Sequence, residues 1–97
     1  SQSNKNLGKT RETAKSEAQK LFSSADNMRI AMARAKQTVE VNEELEQTFD
    51  RQLDSFNQLN GRFQANLNQL SEGEIKAQLD QLNSAYKLLE QTFNTAR

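Results

Sequence analysis

Apolar side chains along this chain recur at alternating steps of four and three, the spacing that lays one stripe down an α-helix. The clearest run is Ile75, Leu79, Leu82, Tyr86, Leu89, Phe93 and Ala96. Directly before it stands Leu70-Ser71-Glu72-Gly73-Glu74-Ile75. Ser71 and Glu74 are spaced to satisfy each other's backbone amide, and Leu70 is placed to pack on Ile75, a capping box with a hydrophobic staple. Together these signals predict a helix over about 72–96.

An earlier run, Ala14, Ala18, Leu21, Ala25, Met28, Met32, Ala35 and Val39, keeps the same rhythm and predicts a helix over about 9–40. Residues 1–8 show no such period and read as a frayed lead-in. The seam of this first helix is mostly alanine with two methionines. Neighbours can approach it closely, but each layer gains little, at about 0.8 kcal/mol per buried methylene. Ser23-Ser24-Ala25-Asp26-Asn27 is built from side chains that compete with helical hydrogen bonds. Since the seam crosses it in register, a continuous helix is expected, and a turn there would give four helices instead of three.

Between these runs lie Leu45, Phe49, Leu53, Phe56, Leu59, Phe63, Leu67 and Leu70, predicting a helix over about 43–70. Asn42 would cap it, with Glu43 and Glu44 in the first turn where acids are favoured. The alternative is one helix from about 9 to 70, near 90 Å long at 1.5 Å per residue, with Asn42 as a buried polar residue setting register between chains. Phe49, Phe56 and Phe63 stand seven apart and form the expected centre of the core. Asn60-Gly61 is a turn dipeptide, yet the apolar spacing runs across it; a helix weakened by about 1 kcal/mol, or kinked, is expected there. The fold class that follows is all-α, a single domain over 1–97: an antiparallel helical bundle of three helices, or four, with coiled-coil-like heptad seams.

Composition makes that core thin. Leucine (11), phenylalanine (5), isoleucine (2) and valine (2) supply 20 of the 97 residues, and a chain of this size buries roughly 60–65% of its unfolded surface. A protein partner, or a second copy in a homo-oligomer, is therefore expected to complete it. With no proline, long uninterrupted helices are open to the chain. The longest apolar run, Ile30–Ala33, is far short of the roughly 20 residues of a membrane span.

The chemistry on offer is narrow. Histidine and cysteine are absent, which removes imidazole bases, thiol nucleophiles, zinc-thiolate sites and disulfides. Gly8, Gly61 and Gly73 are too scattered for a phosphate-binding loop. No enzyme activity and no cofactor are expected.

Charge is balanced overall but not along the chain. Residues 1–36 hold eight Lys/Arg (Lys5, Lys9, Arg11, Lys15, Lys20, Arg29, Arg34, Lys36) against three acids; residues 37–54 hold six acids against Arg51 alone. Such blocks favour antiparallel pairing of the two helices or a head-to-tail contact between molecules, weakening with salt. Glu43, Glu46, Asp50 and Asp54 fall along one side of the second helix. A hard cation fits such a stripe, but without calcium-loop spacing a solvated face is the simpler reading. Neutral net charge, with Glu12, Glu17 and Asp26 interspersed among the bases, is not a nucleic-acid footprint.

Two functional readings result. The first is a non-enzymatic helical interaction or self-association module, with Met28, Met32, Phe49, Phe56, Phe63, Tyr86 and Phe93 as its candidate seam. The alternative is a peripheral envelope or membrane-surface protein, the soluble part of a secreted or lipid-anchored precursor. It is motivated by the polar opening segment, the lack of cysteine and the basic first helix. The sequence leaves the compartment open.

Overall fold

In a computed structural model the chain forms three helices, α1 (Gln2–Thr38), α2 (Glu43–Asn66) and α3 (Glu72–Ala96), with a 3₁₀ turn at Leu67–Gln69 after α2. The structure describes the backbone of residues 2–96 and the side chains of 6–96; Ser1, Arg97 and the Lys5 side chain lie outside the described residues. No strand occurs among the described residues.

α1 runs unbroken through Ser23–Asn27, so the bundle has three helices and not four. Asp26 turns its carboxylate to Arg29 one turn on (2.9 Å) instead of competing for backbone amides, and Ala25 is fully buried. The expectation of a frayed 1–8 is corrected at the other end: α1 begins at Gln2. Leu7, half-buried against the core, stands seven residues before buried Ala14, with Arg11 between them. The seam thus extends one heptad further back than the apolar residues alone suggest.

Arg11 occupies that seam position without lying in it as an uncompensated charge. Its Nε donates to the Leu67 carbonyl and its Nη2 to the Leu70 carbonyl, both at 3.1 Å. The planar fork holds the first quarter of α1 to the corner joining α2 and α3. Arg11→Ala is expected to cost about 1–2 kcal/mol, with Arg11→Lys between it and the wild type; chemical denaturation of the three proteins checks this.

At the opposite corner α1 stops at Thr38, two residues short of the expected 40, and Val39 is 60% exposed. Valine at 39 therefore leaves the seam, and Val41 packs against the core in its place. Asn42 caps α2 as expected, its Oδ1 accepting from the Leu45 amide at 3.1 Å, with Glu43, Glu44 and Glu46 in the first turn. That break removes the single 9–70 helix. Across the corner the Lys36 ammonium pairs with the Glu46 carboxylate. This hydrogen bond, then the charges of Glu46 and Asp50, hold Lys36 above its ordinary pKa.

The α2–α3 corner carries the capping box. The Ser71 amide donates to Glu74 Oε1 (3.1 Å) and the Glu74 amide donates to Ser71 Oγ (3.2 Å), while Leu70 and Ile75 are both buried. The Ser71 amide, followed by its hydroxyl, holds the Glu74 carboxyl below the ordinary range. A carboxyl depressed in the folded state contributes stability above its unfolded pKa and loses it as pH falls through the folded value. Acidification is therefore expected to fray the first turn of α3 before the bundle melts. The protection factor of the Ser71 amide, which donates to this carboxylate, should fall at acid pH in the wild type, whereas Glu74→Gln should show no such pH step.

Lys36 beside Glu46, and Arg11 beside Leu67 and Leu70, show α1 and α2 running antiparallel. The Phe49–Phe93 and Phe56–Tyr86 ring contacts, at centroid distances of 6.2 and 6.3 Å, show the same for α2 and α3. The result is a rod of 57 × 18 × 17 Å, as long as α1 itself at 1.5 Å per residue. Its core stacks Ala14, Ala18, Ala25, Met28 and Met32 of α1 against Phe49, Phe56 and Phe63 of α2 and Ile75, Leu82 and Leu89 of α3. α3 packs along both other helices; α1 and α2 approach each other much less closely, leaving that side of the rod more open.

A candidate docking groove between α1 and α2

The seven seam residues named from the sequence are drawn together, but into the interior. Met28, Met32, Phe49, Phe56 and Phe63 are buried, and Tyr86 and Phe93 are half-buried against the same cluster. Tilted ring pairs (interplanar angles 44° and 53°) fix Phe93 on Phe49 and Tyr86 on Phe56. These side chains form the chain's own core and are not free to meet another surface.

Of the exposed large apolar side chains, Phe22, Val39 and Leu88, Phe22 lies on the open α1–α2 side. There a groove of about 400 Å³ is lined by Gln19, Phe22, Ser23, Asn60 and Gln64. Phe22, just outside the alanine seam of α1, is 44% exposed. Asn60 forms part of the opposite wall. It is only 7% exposed, and its Oδ1 finds no donor within the protein. One buried amide acceptor without a partner costs about 1–3 kcal/mol. Gln52 Oε1, two turns earlier on α2, is likewise buried and unmatched.

Neither Phe22 nor Asn60 was singled out by the sequence as part of a docking site, although a signal existed. Continuing the strict four-three rhythm of α2 through Phe49, Leu53 and Phe56 lands on Asn60, then Phe63 and Leu67. The apolar reading passed instead to Leu59, which the structure places half-buried. A heptad counted by position would have found the polar seam residue; one counted by hydrophobicity does not.

Beside the groove, Asn60-Gly61 makes neither turn nor kink that breaks α2, and no glycine among the described residues has positive φ. A Cβ built on Gly61 meets nothing within 4 Å. Gly61→Ala is accordingly expected to stabilise the bundle by about 1 kcal/mol, raising its melting temperature by roughly 4–8 °C. Thermal unfolding followed by circular dichroism checks it.

The groove offers an aromatic face, three amides and one hydroxyl, with no ionisable group among its lining residues. Such a surface can seat side chains and backbone of another polypeptide. Among the described residues no three Asp or Glu side chains converge to hold a metal ion, and no helix is long and apolar enough to cross a membrane. Comparison with protein-family models, with curated proteins and with solved structures gave no match to this chain.

Proposed function

We propose that this chain is a non-enzymatic helical interaction module that docks a partner polypeptide in the α1–α2 groove. The observation carrying the reading is the exposed aromatic, Phe22, in a groove walled by the amide side chains of Gln19, Asn60 and Gln64, on the side where the bundle's own helices pack least. Coiled-coil-like packing against an added helix suits a three-helix rod whose fourth side is open. Burial of Met28 and Met32 in the core favours this over the membrane-surface reading. It takes away the apolar face that a basic α1 would need to lie in a bilayer.

A photoreactive phenylalanine at position 22, in the chain expressed in its native cell, tests the reading. Leu88, 54% exposed on α3, supplies the control position for indiscriminate apolar capture. Specific adducts are expected at 22 and not at 88. Equal labelling at both, or none at 22, would remove the groove as a docking site.

A further inference from the structure

The charge blocks of α1 and α2 remain largely unpaired inside the molecule. Among the described residues the ion pairs are Arg29–Asp26, Lys36–Glu46 and Lys76–Glu72, and Lys36–Glu46 alone joins two helices. Lys9, Lys15 and Lys20 on the first half of α1 take part in none, nor do Glu43 and Asp54 on the first half of α2; Asp50 acts on the Lys36 charge without forming an ion pair. Because the two helices run antiparallel, the excess base and the excess acid lie at opposite ends of the rod. They cannot neutralise each other within one chain.

We infer that the occupant of the groove is a second copy of this chain, laid antiparallel about a two-fold axis passing beside Phe22 and Asn60. The inference rests on the docking reading above and names its partner. Phe22 and Asn60 line one groove and so share one level along the rod. From that level Lys15, seven residues before Phe22 on the same edge of α1, lies about 10 Å towards one end. Asp54, seven residues before Gly61, lies about 9 Å towards the other. A two-fold rotation reverses the ends and sets each Lys15 level with the partner's Asp54, with Asp50 one turn away. The same operation places Phe22 against its own symmetry mate, an isologous contact with an aromatic centre and a charged rim. Parallel docking would instead stack like charges on like at both ends, which fixes the direction. A foreign helix would have no need of this self-complementary pattern.

Sedimentation equilibrium at low and high ionic strength tests it. The wild type is expected to reach twice the monomer mass at low salt and to dissociate as salt is added. Phe22→Glu should weaken the dimer at least roughly thirtyfold, with the helical circular dichroism signal kept. Lys15→Glu and Asp54→Lys should each weaken it about tenfold, and the double variant should recover the wild-type value. Recovery is the signature that neither lost helicity nor unspecific stickiness imitates. Monomer mass up to roughly millimolar concentration at low salt would overturn the proposal, as would a double variant no tighter than its parents. A monomer whose photoreactive position 22 captures a different protein would discard the second copy and leave the docking reading standing.

Discussion

Phe56→Asp is expected to abolish the cooperative melting transition and most of the helical circular dichroism signal. Phe56 is fully buried and lies tilted against Tyr86 at 6.3 Å between ring centroids, midway along α2. Deleting a buried phenyl group costs about 3–5 kcal/mol in transfer and cavity terms. Placing a carboxylate there adds several more, or forces the aspartate to take up a proton. A bundle of this size has roughly 5–15 kcal/mol in total, so the substitution consumes most or all of it. Phe22→Asp changes the same residue type on the open side of the rod, where Phe22 is partly exposed, and is expected to shift stability by no more than about 0.5 kcal/mol. A folded Phe56→Asp, or an equally damaging Phe22→Asp, would contradict the placement of the core.

Asn60→Leu is expected to move stability the other way. The leucine occupies a seam position between Phe56 and Phe63, removes an acceptor that finds no donor within the protein, and has the adjoining groove to expand into. Relieving the unmatched group is worth about 1–3 kcal/mol, and each kcal/mol raises the midpoint by roughly 4–8 °C. Thermal melting at low protein concentration, where association is negligible, is the clean measurement. A lower midpoint would mean that the amide is already hydrogen-bonded and that α2 meets its neighbours differently there. The converse effect is expected on association: a polar seam residue that disfavours the isolated bundle is the kind that fixes register with a partner.

The two substitutions separate what was legible in the chain from what was not. Phe49, Phe56 and Phe63 announce themselves by size and by sevenfold spacing, and nothing elsewhere in the sequence competes for the centre of a bundle. The capping box at Ser71 and the cap at Asn42 are local agreements within four residues, so they survive whatever the rest of the chain does. Arg11 and Asn60 are different. Both sit at seam positions, both are polar, and a reading that counts only apolar residues steps over them. Arg11 is made tolerable there by two carbonyls more than fifty residues away, a partnership with no trace in the local sequence. Asn60 is recognised as unmatched only once α1, with Gln19, Phe22 and Ser23, is in position beside α2.

Val39 and the first eight residues mark the same limit from the apolar side. Val39 keeps the period but falls just past the end of α1 and is left in solvent; Leu7 lacks visible company but lies within reach of the core and extends the helix. Charge behaves likewise. Composition shows a basic block and an acidic block, but the geometry decides that one pair, Lys36 with Glu46, joins two helices among the described residues. Arg11 is turned onto the Leu67 and Leu70 carbonyls, and most of the rest faces outward.

Helicity, the position of the corners to within a few residues, and the identity of the interior aromatic side chains can all be read along the chain. Those depend on local hydrogen bonding and on a period that each helix carries alone. Which side of the rod stays open emerges when the helices pack, since that is set by how three seams of unequal bulk share one core. Two seams flanking the third helix close tightly, and the remaining pair, with Phe22 at its rim and Asn60 in its wall, does not.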